Sequence, residues 1–92
     1  MNTIDFMISI IYTYNWGGDR MEIENFIRNI GSNIKMIRTK RGLSQVDVAK
    51  QLGISKQAYS VWENNSKGMS IAKLYKVSKV LDCKITDFFI EI

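Results

Sequence analysis

The chain has 92 residues, 46% of them hydrophobic, which suits one small domain with a core of its own. Thirteen Lys and Arg against nine Asp and Glu give a net charge of +4, a balance that favours an anionic partner but is weak evidence by itself. The absence of histidine removes the commonest general base and metal ligand, and a single cysteine, Cys83, has no partner for an internal disulfide. The acids stand singly and no glycine-rich phosphate loop is present, so neither an enzyme, a cofactor site nor a metal site is expected.

From Ile4 to Tyr14 every even position is apolar, with Asp5, Ser9 and Thr13 between them, a period-2 pattern that suits a strand. The run is too short to cross a membrane as a helix and no Lys or Arg precedes it as in a signal peptide. Gly17, Gly18, Asp19 and Arg20 stand directly before a second methionine, Met21, and purine-rich codons for those four would read as a bacterial ribosome-binding site. Residues 1–20 are therefore expected to be an N-terminal extension, either untranslated leader read as protein, a disordered tail or an edge strand. Residues 21–92 form the domain and keep twelve bases against seven acids, a net +5.

Ile23, Phe26, Ile27, Ile30, Ile34 and Ile37 recur at helical spacing and predict an amphipathic first helix running to about Lys40, its isoleucines in the core. Gly31 costs such a helix about 1 kcal/mol relative to alanine, so a start or bend near Ser32 is expected. Arg38, Lys40 and Arg41 end it with charge that suits the helix dipole, and Gly42 closes it.

The stretch from Ser44 to Asn65 is the most informative. Ser44 is a good N-cap with Asp47 three residues on, and Val46, Val48, Ala49 and Leu52 make an apolar stripe that Gly53 terminates. Ser55 caps a second helix on which Ala58, Tyr59, Val61 and Trp62 lie. Two short helices so closely joined cross steeply and need a small side chain where they touch, which Ala49 supplies. Asn65, Ser66, Lys67 and Gly68 make a loop; Ser70 caps a helix with Ile71, Leu74, Tyr75, Val77, Ser78 and Leu81 on or near its inner face, and Lys73, Lys76 and Lys79 form a solvated outer side. Cys83 packs as a small hydrophobe, and Thr86 caps a fifth, short helix with Phe88 and Phe89.

With these residues in place the chain resembles the Cro/C1-type (XRE-like) helix-turn-helix regulators of bacteria and phages. Gln45, Ala49, Gly53, Ile54, Ser55 and the run from Tyr59 to Asn64 fall where that pattern expects them, and the likeness extends from about Ile30 to Phe89. Asn65 departs from it, standing where the family usually has glycine, and is expected to take the left-handed conformation with some strain. The resemblance implies an all-α, compact five-helix lambda-repressor-like domain and a cytoplasmic, sequence-specific regulator of transcription, a repressor, that binds double-stranded DNA as a homodimer. The C-terminal residues Phe88, Phe89, Ile90 and Ile92 are the expected dimer surface, the alternative being that they finish the core. Alternatives on the same fold are an antitoxin or restriction-system controller acting on its own operon, and an adaptor that binds protein instead of DNA.

By position in the family, Lys56, Gln57, Ser60 and Val61 face the bases. Gln57 suits adenine N6 and N7, Lys56 suits guanine, and Val61 suits a thymine methyl. Gln45, Asn64 and Lys67 match phosphate-binding positions, although Asn64 also reads as a helix C-cap. Arg38 and Glu63 match a buried ion pair between the first and third helices. Tyr59 and Trp62 are expected in the core or at its rim, not as a platform for bases.

Overall fold

The computed structural model describes Thr3 and residues 16–91, and from residue 16 to 91 its secondary structure is four α-helices and two short 3-10 turns. The expected strand from Ile4 to Tyr14 and the terminal Ile92 lie outside the described residues. The helices are α1 (Trp16–Lys40), α2 (Gln45–Leu52), α3 (Lys56–Asn64) and α4 (Ile71–Val80), with 3-10 turns at Ser66–Gly68 and Ile85–Phe89. The all-α class therefore holds, but the expected fifth helix is a 3-10 turn. It begins one residue after Lys84, whose N–H donates to Asp87 Oδ2 at 3.1 Å, and not at Thr86. Five residues suffice to place Phe88, fully buried, beneath α1, and a short segment of this kind is what i to i+3 bonding accommodates.

The core is built from Ile30, Ile34, Val48, Ala49, Tyr59, Leu74, Val77, Leu81 and Phe88, with Ile37, Leu52, Ile54 and Trp62 packed against it. All four helices reach it, each through a stripe of three- and four-residue spacing. α1 runs unbroken for 25 residues through Gly31 and starts at Trp16, inside the segment expected to stand apart as residues 1–20. No break occurs at Gly31 because the missing side chain is used by a neighbour: α3 lays its last carbonyls against that point, and a Cβ there would overlap the Glu63 carbonyl oxygen. Close packing offsets the intrinsic cost of the glycine.

Not every apolar position predicted for the core is in it. Ile23 and Phe26 are exposed because the first turns of α1 extend past the body of the bundle, where Phe26 stacks on Phe89 with centroids 6.2 Å apart. On α4 the buried stripe is Leu74, Val77, Ser78 and Leu81, whereas Ile71 and Tyr75 face outward, the latter beneath the Lys79 ammonium at 5.1 Å. Val46 likewise sits on the open side of α2.

Three polar side chains fasten the ends of the bundle. Asn33, on the inner face of α1, donates through Nδ2 to the carbonyls of Phe88 and Ile90 at 2.9 and 2.6 Å, which holds the C-terminal turn on α1. Arg41 donates to the carbonyls of Leu81 and Asp82 and anchors the end of α4, where Asp82 takes a positive φ of 54°. Ser66 Oγ donates to the Ile27 carbonyl at 2.6 Å and ties the loop after α3 to the first helix. Satisfied polar groups of this kind, Asn33 and Ser66 buried and Arg41 at the surface, fix register as well as adding stability.

Candidate nucleic-acid interface

The turn between α2 and α3 is set by local chemistry. Ser44 Oγ accepts the Asp47 N–H at 3.0 Å while Asp47 Oδ2 accepts the Ser44 N–H at 2.8 Å, a reciprocal box that starts α2. These hydrogen bonds, the backbone one foremost, hold the Asp47 carboxyl below its ordinary pKa. Gly53 ends the helix with φ 71° and ψ 30°, which a side chain would strain, and the Ile54 N–H returns to the Ala49 carbonyl at 3.0 Å. Ser55 Oγ then accepts the Ala58 N–H at 3.0 Å and opens α3. Only Gly53, Ile54 and Ser55 separate the helices. Ala49 is buried between them, as the crossing requires.

This geometry leaves the N-terminal face of α3 open. Lys56, Gln57 and Val61 are exposed, Val61 at 57%. Ser60 is half-buried beside them, and its Oγ accepts a long hydrogen bond from Asn64 Nδ2 at 3.4 Å. Asn64 and Lys67 are exposed on either side of the loop that follows. Asn65, not Asn64, is the residue that caps α3. It takes φ −148° and ψ 90°, an unstrained extended conformation in place of the left-handed one expected, and its Oδ1 accepts the Lys67 N–H at 3.2 Å. A 3-10 turn replaces the glycine-type ending, so glycine's freedom is not needed there.

Behind the open face lies a charged core. Arg38 Nε donates to Glu63 Oε2 at 2.6 Å and Nη2 donates to Oε1 at 3.2 Å, a two-pronged contact linking α1 to α3. A third donor from Arg38, Nη1, reaches the Leu43 carbonyl at 2.7 Å. Both side chains are buried, and the pairing raises the Arg38 pKa above its ordinary value. Burial alone pushes the Glu63 carboxyl up, but the hydrogen bonds it accepts, Arg38's first, outweigh this and leave it below the usual glutamate value. Tyr59 is fully buried next to the pair, and its hydroxyl has no hydrogen-bond partner among the described residues. Burial, and after it the Glu63 carboxylate, pushes that phenol far above its ordinary pKa.

Gln45, half-buried at the start of α2, makes a contact that its sequence position did not signal. Its Nε2 donates to Glu63 Oε1 at 3.2 Å, so it joins the buried ion pair. Eighteen residues separate the two, and no local pattern signals that contact. Trp62 packs edge-on against Tyr59 with centroids 6.2 Å apart and carries the Lys73 ammonium 5.6 Å from its ring. Neither ring presents a free face for base stacking.

A helix-turn-helix family model matches residues 34–88, the span from the middle of α1 to Phe88. The chain belongs to the Cro/C1-type helix-turn-helix family. Among relatives of this helix-turn-helix chain, an uncharacterized HTH-type transcriptional regulator of Sinorhizobium medicae is 30% identical over 61 residues, 66% of this chain and 44% of that protein. An uncharacterized HTH-type transcriptional regulator of Methanocaldococcus jannaschii is 34% identical over 59 residues, covering 64% of this chain and 89% of the relative. The antitoxin HipB of Escherichia coli is 26% identical over 73 residues, 77% of this chain and 78% of that one. The chain thus spans less than half of the Sinorhizobium regulator and most of the other two.

In this family the motif is a DNA-binding one, and the proteins that carry it are transcription regulators. Among the described residues no helix is long and apolar enough to cross a membrane, and no group of three acids or cysteines is placed to hold a metal ion.

Proposed function

We propose that the protein is a cytoplasmic, sequence-specific regulator of transcription that binds double-stranded DNA with α3 in the major groove and represses the promoter it occupies. The observation that supports this most is the open N-terminal face of α3, where Lys56, Gln57 and Val61 are exposed on a helix whose other side is locked into the core by Tyr59 and Glu63. A helix held this way presents donors, an amide and a methyl-bearing side chain at fixed spacing, which is what reading base edges requires. Ser60 sits at the edge of that set. Gln45, Asn64 and Lys67 contact the flanking phosphates and set the register, a binding role and not a catalytic one. The domain that does this is residues 21–92, with residues 1–20 preceding it.

Selection of duplexes from a random library by the full chain should enrich a palindromic site whose affinity falls steeply with salt. Gln57→Ala should lower affinity for that site by about tenfold, relax the preference at one base pair per half-site and leave the salt slope unchanged. A library without enrichment, with weak binding at low salt, would instead favour the adaptor alternative.

The protein acts as a homodimer in this reading. Phe88, expected on the dimer surface, is buried in the core, but Phe89 is exposed and stacks on Phe26, and Ile90, also exposed, borders a groove of about 480 Å³ between α1 and the C-terminal turn. Lys40 at the end of α1 and Arg41 just after it flank the groove on one side, and Asp87 and Glu91 flank it on the other. A two-fold contact sets the basic wall of one copy against the acidic wall of its partner. Light scattering should find twice the chain mass, and Ile90→Glu, at a position 60% exposed, should give a folded monomer. An unchanged mass in the variant would place the interface elsewhere.

The similarity to the antitoxin HipB supports a second role, autoregulation of an operon that also encodes a toxin. Co-purification of a neighbouring gene product with the full chain distinguishes it from a stand-alone repressor.

A further inference from the structure

We propose that Glu63 is a positioning residue for DNA binding: it holds Gln45 in the orientation that presents one amide hydrogen to a phosphate. The proposal rests on the DNA-binding reading above and names how one of its phosphate contacts is built. Glu63 Oε1 accepts from two donors, Arg38 Nη2 and Gln45 Nε2, both at 3.2 Å, while Oε2 takes Arg38 Nε at 2.6 Å. An ionised carboxylate is an acceptor only, so the amide of Gln45 must turn its NH2 toward it and its carbonyl oxygen away. That choice decides what the side chain offers to solvent.

A phosphate is also an acceptor, and it needs the same NH2 group. A primary amide has two hydrogens about 120° apart; with one given to Glu63, the other is held in a fixed direction at the half-buried start of α2. A freely rotating glutamine would present its carbonyl to the phosphate for part of the time and would lose rotamer entropy on binding. Here that entropy is lost on folding. The guanidinium of Arg38 matters as well, because it neutralises Glu63 and so permits a phosphate close to a carboxylate. The line from α1 through α3 to the first turn of α2 is thus Arg38, Glu63, Gln45, phosphate.

The test uses the full chain and the duplex enriched by selection. Gln45→Ala should weaken binding about tenfold, equally for preferred and altered sites, without changing the salt slope, because glutamine carries no charge. The double variant Arg38→Met with Glu63→Leu replaces the buried pair by apolar side chains, an exchange that often leaves stability unchanged. It should melt near wild type and still bind about tenfold more weakly, and adding Gln45→Ala to it should change nothing further. Wild-type affinity in that folded double variant would reduce Glu63 to a structural role and overturn the proposal, as would wild-type affinity in Gln45→Ala. Amide spectra of the wild type without DNA read the same arrangement with no substitution. One Gln45 side-chain proton should exchange slowly with water, and equally fast exchange of both would overturn it. If the wild type binds no duplex at all, the DNA-binding reading itself falls.

Discussion

Gly31→Ala should destabilise the protein by about 3 kcal/mol, although alanine is the better helix former by about 1 kcal/mol. Position 31 is in the interior of α1, and in an isolated helix the exchange would add stability. In the folded chain the new Cβ would lie far inside van der Waals contact distance of the Glu63 carbonyl oxygen, 3.0 Å from its carbon and 3.5 Å from the Trp62 oxygen. Those atoms belong to the backbone of α3 and cannot rotate aside. Either α3 shifts as a body or the contact between α1 and α3 opens, and both outcomes disturb the Arg38–Glu63 pair, because Glu63 is itself the residue that clashes. In a domain of this size such a loss lowers the melting temperature by more than about 10 °C. Urea or thermal denaturation reads the effect directly. A stabilised Gly31→Ala protein would mean that the two helices do not approach as described. Because α3 carries the DNA-facing side chains, the variant should also bind duplex more weakly at temperatures where it is still folded.

Glu63→Ala should cost about 3 to 5 kcal/mol, since it leaves the Arg38 guanidinium buried without its counter-charge and frees Gln45 at the same time. Arg38→Ala should cost a similar amount, and the two effects should not add, because each removes the same interaction. The pair also makes stability depend on pH. Hydrogen bonds lower the folded-state pKa of Glu63 below the ordinary value of 4.5 despite its burial. The unfolded chain therefore binds the proton more readily, and the contribution of Glu63 is complete above about pH 4.5 and is lost as pH falls through the folded-state value. The melting temperature of the wild type should decline below pH 4.5 more steeply than that of the Arg38→Met, Glu63→Leu double variant. Parallel acid profiles would show that the pair carries none of that dependence.

Much of the bundle was legible in the residues because its signals are local. Serine before an apolar stripe and glycine after it fixed α2, and Ser55 and Ser70 opened α3 and α4 for the same reason: each hydroxyl accepts an N–H within its own first turn. The ion pair between Arg38 and Glu63 was expected only from the family pattern, since 25 residues separate the two and nothing nearby marks them. Gln45 was expected at the start of α2 by the same pattern, but its hydrogen bond to Glu63, 18 residues away, was not legible. Asn65 was expected to do the work of a glycine, and the 3-10 turn that follows removed the need.

What the sequence determined by itself is the existence of the four α-helices, the serine caps that open α2, α3 and α4, and the helix-turn-helix family, because N-caps and apolar periodicity are decided within one or two turns of chain. What the tertiary structure alone decided is which apolar residues are inside and what the polar ones hold. Ile23, Phe26, Ile71 and Tyr75 follow helical spacing and are still exposed, since spacing gives a face and not the extent of the surface that covers it. Gly31 reads as a weak point in a helix until α3 is laid across it. There its missing methyl group is the condition for the closest approach between α1 and α3, a distance that only the packed chain contains.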